Sequence, residues 1–128
     1  MNILGVDFGT SKMGLAWVDT DLGVILPYGM IMARNADERL QKILKFLKTE
    51  KIDKIVFGLP LTLEDMSENQ NTARIRKFAE DIKKNISIEI DFADERLTTS
   101  EARQMGGEAT LDEKSAMLIL ETYLEESS

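Results

Sequence analysis

The sequence contains no cysteine and no histidine among its 128 residues. The lack of cysteine excludes disulfide bonds, thiolate nucleophiles and cysteine-ligated zinc, and the lack of histidine removes the commonest general base and metal ligand. Any catalysis must therefore depend on carboxylate, hydroxyl, lysine or arginine groups. Carboxylates without imidazole favour hard cations that bind oxygen, such as Mg²⁺ and Mn²⁺.

Long apolar segments are also absent, since no stretch approaches the roughly 20 residues that a helix needs to cross a bilayer. The segment 1–7 lacks the basic region of a secretory signal peptide. We therefore expect a cytoplasmic protein with no membrane partner. The length and the 43% of apolar residues fit one domain, spanning residues 1–128, with a core of its own.

Positive charge is scarce, because 16 lysine and arginine residues stand against 23 aspartate and glutamate residues, for a net charge of −7. Lysine and arginine bind the phosphates of nucleic acids, and these contacts weaken as the salt concentration rises. The charge balance therefore argues against a broad phosphate-binding surface. If the substrate is a nucleic acid, we expect weak binding that falls steeply with salt.

The pattern of apolar residues predicts an α/β chain with five strands and four helices. The predicted strands are Ile3–Phe8, Met13–Val18, Val24–Ile31, Lys54–Leu59 and Ile86–Phe92. The predicted helices are Asp37–Glu50, a helix with Ile75, Phe78, Ala79 and Ile82 on one face, a short helix that begins near Thr98 and Glu101, and Asp112–Leu124. This order needs a mixed sheet, a three-stranded meander plus two parallel strands, with helices on both faces.

Single residues add detail to this architecture. Pro27 cannot donate a ladder hydrogen bond, so the third strand is expected at an edge of the sheet. Thr110 and Glu113 have the spacing of a capping box at the start of the last helix. The polar segment Thr62–Thr72 is expected to be a mobile loop beside the site.

Asp7 is the first candidate site residue. It ends a mostly apolar strand, where an ionised carboxylate is costly unless a cation or hydrogen-bond donors compensate it. A bound metal ion would provide that compensation. The alternative is an acid that caps the Gly9-Thr10 turn, which is a common role for aspartate.

Glu95 and Arg96 follow the fifth predicted strand, at the sheet edge where ligands gather when strands are joined by parallel crossovers. An acid beside an arginine would suit a metal ion and a phosphate together. The alternative is a solvated ion pair ahead of a helix, with Thr98 and Thr99 serving only as caps.

Asp112 lies in the first turn of the last helix, and the positions four and seven residues later are Ala116 and Ile119. This spacing places Asp112 on the face that packs against the sheet. The alternative needs no function, because an acid near a helix N-terminus gains about 0.3–1 kcal/mol from the helix dipole.

Four segments together resemble the YqgF family, also called RuvX. They are Gly5-Val6-Asp7-Phe8-Gly9-Thr10, Gly58-Leu59-Pro60-Leu61, Asp94-Glu95-Arg96-Leu97-Thr98-Thr99, and the ending from Asp112 through Leu120 to Leu124. The resemblance covers essentially the whole chain in order. One departure is Ser11-Lys12, where the family usually has two basic residues.

The resemblance implies an RNase H-like fold with catalytic, metal-binding acids at Asp7, Glu95 and Asp112. If these carboxylates converge, we infer that Asp7 would bridge two Mg²⁺ or Mn²⁺ ions and that Glu95 and Asp112 would each hold one. Lys12, Arg96 and Thr98 are the residues expected to contact substrate.

The activity implied is that of a metal-dependent nuclease that hydrolyses phosphodiester bonds, in 5′-end maturation of pre-16S ribosomal RNA. Resolution of Holliday junctions in branched DNA is the first alternative. A non-catalytic module with the same fold, which binds nucleic acid or protein, is the second. Residues 6–11 also resemble the phosphate-binding opening of actin-like and sugar-kinase ATPases, but those enzymes need a second lobe that 128 residues cannot supply.

Overall fold

A computed structural model describes residues 1–59, 70–94 and 110–127. Its strands are β1 Asn2–Asp7, β2 Lys12–Asp19, β3 Val24–Met32, β4 Lys54–Leu59 and β5 Glu89–Asp94, and its helices are α1 Ala36–Thr49, α2 Gln70–Asn85 and α3 Leu111–Ser127. The strands form one sheet in the order β3-β2-β1-β4-β5. The first three strands pair antiparallel, whereas β4 and β5 run parallel to β1. The predicted meander with two parallel strands is therefore confirmed.

The edge position of β3 is confirmed as well, and Pro27 lies next to a register shift in its pairing with β2. The predicted start of the fifth strand at Ile86 was wrong. The ladder begins at Glu89, opposite Lys54, because β5 can pair only where β4 offers a partner. Ile86 and Ile88 still pack against the core ahead of the strand.

The predicted loop Thr62–Thr72 was wrong at its end, because α2 already begins at Gln70. Thr72 is fully buried. It lies three residues before the buried Ile75, so the helical face that reaches the core extends one turn further than its apolar residues indicate. Residues 60–69 of this loop and the predicted short helix near Thr98 lie outside the described residues.

The two faces of the sheet carry separate cores. Helices α1 and α2 cover one face, where Leu4, Val6 and Phe57 are fully buried. Helix α3 covers the other face and packs on Ile3, Val18 and neighbouring residues. Full burial of one such side chain contributes about 1.5–3 kcal/mol, so each helix is held mainly by its apolar face. The predicted placement of helices on both faces is confirmed.

Helix α3 is fixed at both ends. At its start the predicted capping box forms, since the Glu113 amide donates to Thr110 Oγ1 and the Thr110 amide donates to Glu113 Oε1. Such a cap contributes about 1 kcal/mol. Near its end Lys54 Nζ donates to the Tyr123 hydroxyl at 2.7 Å, and that hydroxyl donates to the carboxylate of Asp91. The hydrogen bond from Tyr123, together with Lys54, lowers the pKa of Asp91.

The three described helices begin at the end of the sheet where β1 finishes, which we call the Asp7 edge. Helix α1 contacts Thr10 near its start, whereas Asp53 beyond its end hydrogen-bonds Asn2 at the start of β1. Phe78 of α2 contacts Phe8, and the chain after α2 begins β5 at the opposite edge. Within the described ranges, no helix is both long and apolar enough to cross a membrane.

Candidate active site

A glycine in β2 brings two of the predicted acids to one place. Gly14 pairs with Asp7 across the antiparallel ladder, and residues paired in this way project to the same face of the sheet. A Cβ atom added to Gly14 would clash with the backbone carbonyl of Asp112. The start of α3 therefore lies directly on β2 beside the Asp7 position. Asp7 and Asp112 consequently lie on the same face of the sheet, at the Asp7 edge.

Asp112 is half-buried, as its predicted orientation toward the sheet requires, and Ala116 and Ile119 on the same face are fully buried. Its Oδ2 atom lies 3.4 Å from Nζ of Lys12, the first residue of β2. An ion pair with this much solvent exposure contributes no more than about 1 kcal/mol. It nevertheless places an exposed ammonium group next to Asp112.

The donor set fits a hard cation. Asp7 and Asp112 are both half-buried, and they supply carboxylates from two different elements to the same face and the same end of the sheet. Carboxylate oxygens with no nitrogen or sulfur ligand match the preference of Mg²⁺ and Mn²⁺. Among the described residues, no group of three or more acidic, histidine or cysteine side chains is close enough to hold a metal ion.

The other predicted site residues, Glu95, Arg96 and Thr98, lie outside the described residues. The description of β5 ends at Asp94, which pairs with Leu59 at the end of β4. Glu95 is the next residue in the chain after this pair. Of the predicted site residues, the structure describes Asp7, Asp112 and Lys12, and it places these three at the same end of the sheet.

Arg39 is a cation at this edge that the sequence interpretation missed. Its guanidinium carbon lies 4.9 Å from the ring centre of Phe8, and its Nη1 atom donates to the Thr10 carbonyl at 2.7 Å. Burial lowers the pKa of Arg39, which remains charged because a guanidinium titrates far above neutral pH. The sequence did contain a signal for this position. Arg39 precedes the buried Ile43 by four residues, and that spacing puts it on the apolar face of α1.

Comparisons with known proteins identify the family and the fold of the chain. The sequence profile of the family described as RuvX, Holliday junction resolvase, matches residues 1–126. A protein of Maridesulfovibrio salexigens named "Putative pre-16S rRNA nuclease" is 34% identical over 133 aligned residues, covering 97% of this chain and 98% of that protein.

Two solved structures share the fold at low sequence identity. RuvC of Thermus thermophilus, in complex with a Holliday junction substrate, has a TM-score of 0.63 at 10% identity and covers 99% of this chain and 95% of its own. The fowlpox virus Holliday junction resolvase has a TM-score of 0.61 at 14% identity, with 100% of both chains covered. These similarities confirm the predicted RNase H-like fold.

Proposed function

From the site geometry and from its membership of the RuvX family of Holliday junction resolvases, we propose that the chain is a metal-dependent nuclease. We further propose that it acts in the cytoplasm as a single domain. The observation that carries the proposal is the juxtaposition of Asp7 and Asp112 on one face of the sheet, made possible by Gly14. Lys12 balances part of the negative charge of this acid pair, and a bound metal cation would balance it more fully.

Asp7 and Asp112 would hold Mg²⁺ or Mn²⁺, and Glu95, one residue beyond the end of β5, is proposed as the third acid. When bound, such an ion stabilises charge on phosphoryl oxygens and lowers the pKa of a coordinated water. The protein's part is to fix its carboxylates in place before substrate arrives. Strand β1 and the capped first turn of α3 do this for Asp7 and Asp112.

Lys12 and Arg96 are proposed to contact the phosphate, and Thr98 the substrate strand. The Lys12 ammonium is exposed enough to exchange its contact with Asp112 for a phosphate oxygen. Arg96 would neutralise charge that develops on the phosphate during hydrolysis. No histidine is required, because proton transfer would run through water and the carboxylates.

We propose pre-16S ribosomal RNA as the substrate, cleaved during maturation of its 5′ end. The name of the relative from Maridesulfovibrio salexigens, aligned over almost the full length of both chains, supports this choice. Resolution of Holliday junctions is the second candidate, favoured by the family description and by the fold shared with junction-bound RuvC.

The test incubates purified protein with an RNA that carries the 5′ end of the precursor and, separately, with a four-way DNA junction. We expect cleavage of the RNA with Mg²⁺ or Mn²⁺ and none with Ca²⁺, whose looser coordination positions water poorly. Preferential cleavage of the junction would select the second candidate. Binding of either probe without cleavage would instead support a non-catalytic module, and activity in excess chelator would contradict the metal mechanism.

A further inference from the structure

A shallow groove of about 120 Å³ lies between α1 and α2, close to the Asp7 edge. Among the residues that the structure describes, three cations, Arg39, Arg74 and Lys77, line it together with one acid, Asp81. The Nε atom of Arg39 is buried and has no hydrogen-bond partner among the described residues. The groove is therefore rich in donors and poor in acceptors, which is the character of an anion site.

The groove is connected to the candidate active site through Arg39. This guanidinium hydrogen-bonds the carbonyl of Thr10, and its carbon lies within 6 Å of the ring centres of both Phe8 and Phe78. Phe8 directly follows Asp7 in the chain. A phosphate in the groove would thus lie beside the turn that follows the catalytic acid.

The two outer cations are available to a ligand. Lys77 is 77% exposed and reaches Asp81 only at 3.7 Å, and Arg74 is exposed with a 3.1 Å hydrogen bond from Nη1 to Asn71 in its own helix turn. Exposed contacts of this type contribute little to stability, so exchanging them for a phosphate costs little. Arg74 and Lys77 are three residues apart and lie on one side of α2.

The charges of the helices divide the molecule into a basic face and an acidic face. Helix α1 carries four cationic and two acidic residues, and α2 carries five cationic and two acidic residues. Helix α3, on the opposite face of the sheet, carries one cationic and five acidic residues. A polyanion would be attracted to the α1–α2 side and repelled from α3. The net charge of −7 therefore does not describe the face that a nucleic acid would meet.

We propose that the groove between α1 and α2 binds a backbone phosphate of the substrate strand, away from the scissile phosphate, and so guides that strand along the basic face. This inference rests on the proposed function, because it assumes a nucleic-acid substrate at the Asp7 edge. The ligand chemistry is a phosphodiester, which RNA and DNA share.

The test measures binding of a fluorescent single-stranded RNA, and of the DNA of the same sequence, in chelator so that no cleavage occurs. The double variant Arg74→Gln/Lys77→Gln is compared with Lys83→Gln/Lys84→Gln. The control makes the same change of charge on the same helix but at its other end, near the opposite edge of the sheet. All four side chains are exposed, so both variants should keep the melting temperature of the wild type.

We expect Arg74→Gln/Lys77→Gln to weaken binding of both probes about tenfold and to lower the slope of log K against log salt by about 0.7–1, as for one phosphate of a single strand. The control should stay within about twofold of the wild type. Equal losses in both variants, no loss in either, or a loss with only one probe would overturn the inference. If the expected losses occur but no substrate is cleaved, the groove assignment stands and the proposed nuclease function fails.

Discussion

Substituting Asp7→Asn should reduce metal-dependent cleavage by at least about a thousandfold, which corresponds to roughly 4 kcal/mol of transition-state stabilisation. The reason is that an amide keeps the shape of the carboxylate but loses the negative charge that would hold the cation. Asp112→Asn should have an effect of the same order, because both acids lie on one face of the sheet at the Asp7 edge. The rate is measured under single-turnover conditions with saturating protein, so that weaker substrate binding does not contribute.

Asp19→Asn is the matched control for this experiment. Asp19 ends β2 at the opposite edge of the sheet, where it pairs with Asn2, and its side chain accepts a hydrogen bond from the Asp21 amide. The same chemical change there should leave cleavage within about twofold of the wild type, since the change is a whole strand length from the site. If Asp7→Asn cleaves as fast as Asp19→Asn, Asp7 is not part of the catalytic machinery.

Gly14→Ala should destabilise the protein by about 2–4 kcal/mol and abolish most of its activity. The added methyl group would clash with the backbone carbonyl of Asp112 rather than with a side chain that can rotate away. The start of α3 must then lift from β2, which separates Asp112 from Asp7. The free energy of unfolding, measured by urea denaturation, gives the stability, and cleavage of the RNA probe gives the activity.

Gly23→Ala provides the comparison for Gly14→Ala. Gly23 lies in the turn between β2 and β3 with a φ of +73°, and an added Cβ would meet no atom within 4 Å. Its substitution should therefore cost only the backbone strain of about 1–2 kcal/mol, with activity retained. If Gly14→Ala is no more harmful than Gly23→Ala, the close approach of α3 to β2 does not set the position of Asp112.

The local rules of the sequence were sufficient for most of the fold. Proline chemistry placed β3 at the edge, and the spacing of Thr110 and Glu113 located the start of α3. The beginning of β5 could not be predicted in this way. It depends on where β4 begins, because Lys54 at the start of β4 pairs with Glu89, thirty-five residues later in the chain. The apolar run that includes Ile86 extends beyond that ladder.

The candidate site was only partly accessible from the sequence. Asp7 and Asp112 were identified separately, from a strand end and from a helical face. Their proximity depends on Gly14, and a glycine within a strand does not reveal which backbone approaches it. Arg39 was missed for a related reason, because its role follows from contacts with Phe8 and Thr10 that only the packing of α1 creates.

The central claim, that Asp7 and Asp112 share one metal site, is tested most directly by thermal melting with chelator and with Mg²⁺. At about ten times its dissociation constant, Mg²⁺ should stabilise the wild type by roughly 1.4 kcal/mol, a shift of a few degrees for a domain of this size. Asp7→Asn and Asp112→Asn should each lose most of that shift, while Asp19→Asn keeps it. In chelator, Asp7→Asn should melt at or above the wild type, because neutralising one acid relieves repulsion between the two. Retention of the full Mg²⁺ response by both Asp7→Asn and Asp112→Asn would contradict the shared site.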